Sequence, residues 1–285
     1  MSFAEEVFGV AGKVALITGA ARGQGRSHAA RLAEEGADII AIDICSDADG
    51  VDYPLATASD VDETIKLVEK LDRRIMFRQA DVRDFAALEA IVAEGVAEFG
   101  HIDFACANAG ICTTARAWEM TEQTWQTMID INLTGVWKTV RAVAPAMIEQ
   151  ATGGSIAIVS SIAGLAAFPN MVHYNAAKHG LVGVMRGFAV ELGQFKIRVN
   201  SVHPTNVETP MLLNNPPIQA LMTGDVDASR SAMTEALGGM HLFDLPWVDV
   251  SDVSNVVLWL ASDESRYITG TTQVIDAGAT APFKA

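Results

Sequence analysis

Tyr174 and Lys178 stand four positions apart in the stretch VHYNAAKHGLVGV, a spacing that stacks two side chains on one face of a helix. A phenol beside an ammonium can do proton chemistry. A free tyrosine has a pKa of about 10 and is rarely ionised near neutral pH; a neighbouring cation lowers that value by roughly 1–3 units. Such a pair suits general acid/base work, in which a side chain gives up or takes a proton near neutral pH. Taken alone, the pair reads more simply as an amphipathic surface or subunit contact. The surrounding chain decides between the two.

Seven short runs, KVALIT, ADIIAID, RIMFRQAD, IDFACAN, GSIAIVS, KIRVNSV and TQVIDA, alternate with longer helical patterns. That alternation predicts an α/β fold, a doubly wound parallel sheet of about seven strands with helices on both faces. No repeat, low-complexity tract or Pro/Gly linker divides the chain before about residue 208, so residues 1–285 are expected to form a single domain. Two segments depart from the simple alternation. Cys45 to Arg74 is longer than an ordinary crossover and holds a Tyr53-Pro54 loop, then a helical pattern on Val61, Ile65, Val68 and Leu71. Residues 208–248 carry Met211, Leu212, Leu213, Met222, Met233, Met240, Phe243 and Trp247 with little periodicity. This second segment is expected to be a substrate-binding lid, with subunit packing as its alternative.

The first strand runs into TGAARGQGRSHAARLAEEGA, which sets Gly19, Arg22, Gly23, Gln24 and Gly25 at the turn and the opening of the next helix. Side chains at the three glycines would block the tight turn, the approach of backbone N–H groups to a pyrophosphate, or the packing of helix on strand. Asp43 ends the second strand, where a carboxylate accepts hydrogen bonds from an adenine-ribose diol and repels a 2′-phosphate. Arg22 pulls toward that phosphate. The carboxylate faces it directly, so the expected cofactor is NAD. Asp81 and Val82 after the third strand, and Asn108, Ala109 and Gly110 after the fourth, fall at strand ends where ligands bind in such sheets.

The charge and composition narrow the partners. A net charge of -15 repels a phosphate backbone and anionic lipid, so no nucleic acid or membrane partner is expected. With half its residues hydrophobic and no uncharged apolar stretch long enough to span a bilayer, the chain is expected to be a soluble, cytoplasmic protein. Cys45, Cys106 and Cys112 lack paired spacing and are expected to be small buried hydrophobes. The histidines show no ligand spacing, so no metal is expected.

With TGAARGQG, ANAG, and IVSS followed by YNAAK in this order, the chain resembles the short-chain dehydrogenase/reductase family over nearly its whole length. The resemblance implies a Rossmann fold and catalytic roles for Asn132, Ser161, Tyr174 and Lys178. Tyr174 would be the acid/base, Ser161 would hold the substrate oxygen, Lys178 would also grip the nicotinamide ribose, and Asn132 would position a water for proton relay. It implies further that Pro204, Val207 and Thr209 lie at the cofactor, with Val207 and Thr209 at its carboxamide, and that the protein is a homotetramer with the helices of Asn132 and Tyr174 at the interface. Two positions depart from the family pattern: Ala107 replaces its first loop asparagine, and Thr205 follows Pro204 where a glycine is usual.

The insertion after Asp43 and the wording HPTNVETPM resemble a narrower group, the mycofactocin-coupled dehydrogenases that include carveol dehydrogenases. That resemblance implies a small hydrophobic alcohol or ketone substrate, monoterpenoid in kind, and a bound NAD reoxidised by the mycofactocin electron carrier. An ordinary dehydrogenase that exchanges NAD freely is the alternative within the enzyme class. A nucleotide-binding regulator without turnover is the alternative outside it.

Overall fold

Every strand run in the sequence forms a strand in the computed structural model, which describes residues 9–281. In chain order the elements are β1 Val14–Thr18, α1 Gly23–Glu34, β2 Asp38–Asp43, α2 Ala58–Glu69, β3 Ile75–Gln79, α3 Phe85–Phe99 and β4 Phe104–Ala107. There follow α4 Glu122–Ile129, α5 Val136–Glu149, β5 Gly154–Val159, α6 Val172–Leu192 and β6 Ile197–Pro204. The last stretch holds α7 Pro210–Leu213, α8 Pro216–Thr223, α9 Arg230–Leu237, α10 Val250–Ala261 and β7 Thr272–Ile275.

All strand pairings are parallel, in the order β3-β2-β1-β4-β5-β6-β7. The chain builds outward from β1 to β3, then crosses back to lay β4 on the other side of β1, with Ala15 opposite Phe104. Loops leaving β1 and β4 therefore part in opposite directions, and a crevice opens at their carboxyl ends.

Side-chain alternation along the strands feeds two cores. Leu16, Ile40 and Ile42 pack with Leu88, Val140, Val143 and Met185 under α3, α5 and α6. Ala15, Ile17, Ile39 and Ala41 pack with Leu32, Val253 and Val257 under α1 and α10. No helix among the described residues is long and apolar enough to cross a membrane.

The insertion departs from its expected pattern. Thr57 and Asp60 cap α2 reciprocally, and the helix ends at Glu69, short of Leu71, which is exposed. Its buried face is Thr64 and Val68, because Arg26 of α1 reaches across to the Asp60 carbonyl at 3.0 Å and turns that side inward. Cys106 and Cys112 are buried as expected, whereas Cys45 at the start of the insertion is only partly so.

Residues 208–248 are not one helix but three short ones, each with its own start signal, such as Asn215 and Ser229, whose side chains accept from backbone N–H groups. Short helices with separate caps leave no long periodic stripe. Leu212, Ile218, Met233, Leu237 and Trp247 nonetheless gather into one apolar cluster with Cys112 and Met171, against which Tyr174 packs. Phe243 stays outside it and is exposed.

Candidate active site

The glycine turn between β1 and α1 has no room for side chains. Gly19 holds φ +68°, and a Cβ there would sit 2.9 Å from the Ala109 Cα. One on Gly25 would fall 2.0 Å from the Gly19 carbonyl oxygen. The Thr18 hydroxyl accepts from the backbone N–H groups of Asn108 and Ala109, each at 3.1 Å, and Asn108 Nδ2 donates to the Thr18 carbonyl at 2.9 Å. The loops after β1 and β4 are thus stitched into one floor.

Above that floor runs a cavity lined by Gly19, Arg22, Gly23, Gln24 and Gly25 from the turn, and by Asp43 at the end of β2. Asp81 and Val82 after β3, and Asn108, Ala109 and Gly110 after β4, complete the same wall. At the far end it reaches Tyr174, Lys178 and Thr209. The elongated cradle fits a dinucleotide, and the buried Gln24 Oε1 inside it has no protein partner. Asp43 is nearly buried, and its Oδ2 accepts from Ala21 N at 2.9 Å. Burial raises its pKa, and the backbone hydrogen bonds of Ala21, Cys45 and Ile44 work against that rise.

Helix α6 presents Tyr174 and Lys178 on one side, with Lys178 Nζ 5.5 Å from the centre of the Tyr174 ring and donating to the Val159 carbonyl at 3.0 Å. Burial lowers Lys178 to about 8. Burial also pushes the Tyr174 phenol well above its ordinary value, with a hydrogen bond from Ser161 acting the other way. The expected depression of the phenol by Lys178 is therefore not produced by the chain's own charges. The ammonium sits over the ring and is itself desolvated.

Ser161 follows β5 in extended conformation and caps a short 3-10 turn, Ile162–Gly164, its Oγ accepting from Ala163 N at 3.1 Å. Its carbonyl is held by His203 Nδ1 at 2.8 Å, while His203 Nε2 meets the Ser201 hydroxyl at 2.8 Å. A carbonyl only accepts, so Nδ1 carries the proton and Nε2 accepts from Ser201. Burial drives His203 to about 4, which keeps the ring neutral. Nothing in the spacing of Ser201 and His203 marks this role, because residues two apart on any strand share a face.

Asn132 lies in a π-helical turn, Asp130–Gly135, between α4 and α5. Fully buried, it binds Ile111 reciprocally: Ile111 N donates to Oδ1 at 2.8 Å and Nδ2 donates to the Ile111 carbonyl at 2.7 Å. A Cβ placed on Gly110 would lie 3.2 Å from Asn132 Oδ1 and 3.7 Å from Lys178 Nζ, so the three lie close together, with Gly110 and Lys178 lining the cavity and Asn132 packed behind them. Because the Asn132 side chain is engaged with Ile111, its amide is not free to reach into the cavity.

Sequence reasoning did not single out several residues that line this cavity, among them Ile44, Leu55, Ala56 and Ile111. The insertion crosses the cavity. Arg22 Nη2 donates to the Pro54 carbonyl at 2.7 Å, and the buried Tyr53 accepts at its hydroxyl from Cys112 N at 3.2 Å. Arg22 is thereby tied to the insertion and does not lie free in solvent. Tyr53 carries the insertion from Arg22 and the glycine turn toward Cys112, beside the catalytic candidates.

A second, more apolar cavity adjoins the first. Tyr174, Gln24, Ser160, Thr209 and Met211 are common to both, and Ser161 lines the second with Phe168, Met222 and Met240. Pro204 and Val207 line this adjoining cavity, at and just past the end of β6 beside β5. Thr205 needs no glycine, as its backbone is outside the left-handed region. Its hydroxyl pairs with His241 Nε2 at 2.8 Å, and His241 Nδ1 with the Leu245 carbonyl at 2.8 Å, fastening the base of the helical cap to the end of β6.

The family described as enoyl-(acyl carrier protein) reductase matches residues 19–280. A (-)-trans-carveol dehydrogenase from Rhodococcus erythropolis is 46% identical over 272 residues, covering 95% of this chain and 98% of that protein. The crystal structure of carveol dehydrogenase from Mycobacterium avium in complex with NAD superposes with a TM-score of 0.93 at 51% identity, covering 96% of this chain and 99% of that one. A short chain dehydrogenase from Mycobacterium paratuberculosis bound to NAD gives 0.87 at 43% identity, covering 95% and 98%. Identity of this degree over nearly the full length of each relative places the chain in the short-chain dehydrogenase/reductase family.

Proposed function

We propose that the protein is an NAD-dependent oxidoreductase that moves a hydride between the nicotinamide and the carbon of a secondary alcohol or ketone. The observation that carries this reading is the position of Tyr174 and Ser160–Ser161 at the junction of a glycine-floored dinucleotide cavity and an apolar cavity. Relatives solved with NAD support the choice of cofactor. Bound NAD supplies the hydride acceptor.

The chain's own groups do the rest. Tyr174 exchanges the proton of the substrate oxygen, and Ser161, with its Oγ already accepting from Ala163 N, donates its own proton to that oxygen. Lys178 holds the ribose side of the site and supplies positive charge near the phenol. Asn132 acts through the backbone it braces at Ile111 and keeps the floor beneath Lys178 in place. Gly19, Gly23 and Gly25 admit the pyrophosphate, and Asp43 takes the adenine-ribose diol.

Helices α7 to α9 form the lid over a hydrophobic cyclic substrate, monoterpenoid and carveol-like in kind. Adaptable methionines such as Met211, Met222 and Met240 in its lining support that reading, as does the likeness to carveol dehydrogenases. The bridge of the insertion across the cofactor cavity favours a second element, an NAD that stays bound and is reoxidised in place by a small carrier such as mycofactocin. A homotetramer is proposed from the apolar Trp125, Trp137 and Val172, which α4, α5 and α6 leave partly exposed.

The test is a cyclic secondary alcohol deuterated at its carbinol carbon. Deuterium should appear on the nicotinamide and the ketone should form in equal amount. Ketone without labelled nicotinamide, or no ketone from any cyclic alcohol, would refute the reaction.

A further inference from the structure

Most polar side chains in the substrate cavity are committed within the protein. The Ser160 hydroxyl donates to the Lys178 carbonyl at 3.0 Å, that of Thr209 to the Val207 carbonyl at 3.3 Å, and Thr205 pairs with His241 at 2.8 Å. Ser161 and Tyr174 are assigned to the reacting oxygen, and Gln24 is shared with the cofactor cavity. Asn206 differs. It lines the apolar cavity only, and among the described residues its side chain has a single partner, the Met240 sulfur, 3.6 Å from Nδ2.

A thioether is a weak acceptor. An amide half-buried among Met211, Leu212, Ile218 and Met222 and left on such a partner is poorly satisfied once a ligand displaces water, whereas an oxygen on the ligand would satisfy it. Asn206 also sits on the loop just past β6, next to the strand that delivers Ser161, so it faces the same substrate from a neighbouring element. The amide both donates and accepts, and no Lys or Arg lines this cavity to pair with a carboxylate.

We infer that Asn206 is a specificity-determining residue that hydrogen-bonds a second, uncharged oxygen on the substrate. Among hydrophobic cyclic secondary alcohols or ketones, those that carry a further hydroxyl or carbonyl are then preferred over ring-matched analogues that lack it. This inference rests on the proposed hydride transfer and adds the substrate's second functional group. A site that holds an amide for such an oxygen discriminates against the analogue lacking it.

The experiment compares ring-matched cyclohexanols bearing a methyl, a hydroxyl, a carbonyl or a carboxylate at one position away from the carbinol, with nicotinamide reduction as the readout. The hydroxyl and carbonyl compounds should exceed the methyl compound in kcat/KM by on the order of tenfold, chiefly through KM, and the carboxylate should gain nothing. Asn206→Leu should erase that preference within the same series, and Asn206→Ser, which keeps a hydroxyl, should retain part of it. Equal kcat/KM for methyl and oxygenated compounds in the wild type, or a preference that survives Asn206→Leu, overturns the inference while leaving the dehydrogenase reading intact. No nicotinamide reduction by any compound in NAD-loaded protein removes both.

Discussion

Arg22 Nη2 donates to the carbonyl of Pro54 at 2.7 Å, joining the glycine turn at one wall of the dinucleotide cavity to the insertion that crosses it. The same guanidinium is the group that would otherwise be free to attract a 2′-phosphate. That one hydrogen bond offers a test of both cofactor retention and cofactor choice.

Breaking that tie should loosen the cofactor. Arg22→Ala is expected to speed release of bound NAD by roughly tenfold, the scale of one charge-assisted hydrogen bond, and Tyr53→Phe, which removes the acceptor for Cys112 N, by a smaller factor. A chase of labelled NAD with unlabelled NAD reads both. Exchange in the wild type as fast as in Arg22→Ala would make the insertion a surface decoration with no hold on the cofactor.

Cofactor choice follows from Asp43. Its buried carboxylate is fixed by Ala21 N, so a 2′-phosphate would meet a like charge that cannot turn away. NAD should bind at least about a hundredfold tighter than NADP, a difference of a few kcal/mol typical of an unpaired buried charge. Asp43→Asn should narrow the gap. Calorimetric titration with each cofactor gives the ratio, and equal affinities in the wild type would contradict the assignment.

The glycine turn offers a steric prediction. A methyl group on Gly25 would overlap the Gly19 carbonyl at 2.0 Å, so Gly25→Ala must displace the loop or the start of α1. NAD affinity should fall by more than about tenfold, with stability reduced by roughly 1–3 kcal/mol. Gly183→Ala on α6, where an added Cβ meets nothing within 4 Å, serves as the control.

Acid should destabilise the fold through its buried histidines. His203 is neutral in the folded protein down to about 4, against 6.5 when unperturbed, and His28 down to about 3. Between those values the unfolded chain binds the extra proton, so stability is full above 6.5 and falls as pH drops toward 4. The His203 share of that loss is roughly 3 kcal/mol. Urea unfolding across this range should show it, and His203→Leu, which has neither a titrating ring nor a donor, should flatten the slope while lowering kcat through the Ser161 carbonyl it no longer holds. An unchanged slope would mean that His203 is protonated in the native state.

Much of this was legible in the chain because local chemistry marks it. β-branched runs announce strands, the Gly19 to Gly25 spacing announces a turn that tolerates no Cβ, and Tyr174 and Lys178 share a face whenever their segment is helical. Long-range pairings left no such mark. Nothing in the spacing ties Arg22 to Pro54, Tyr53 to Cys112 or Ser161 to His203, since each bond joins segments that meet only after the sheet has assembled. The rise of the Tyr174 phenol was equally hidden. It depends on how completely the lid and insertion exclude water, which the Tyr-x-x-x-Lys spacing does not encode.

The central claim is that Tyr174 exchanges the proton as hydride moves between NAD and a cyclic secondary alcohol. The most direct measurement is single-turnover reduction of bound NAD by such an alcohol in wild type and in Tyr174→Phe, with NAD content measured in both. The account predicts equal NAD content and a rate lower by about 10²–10⁴-fold in Tyr174→Phe, the usual worth of a general acid/base. A Tyr174→Phe protein that reduces its NAD at the wild-type rate would contradict it.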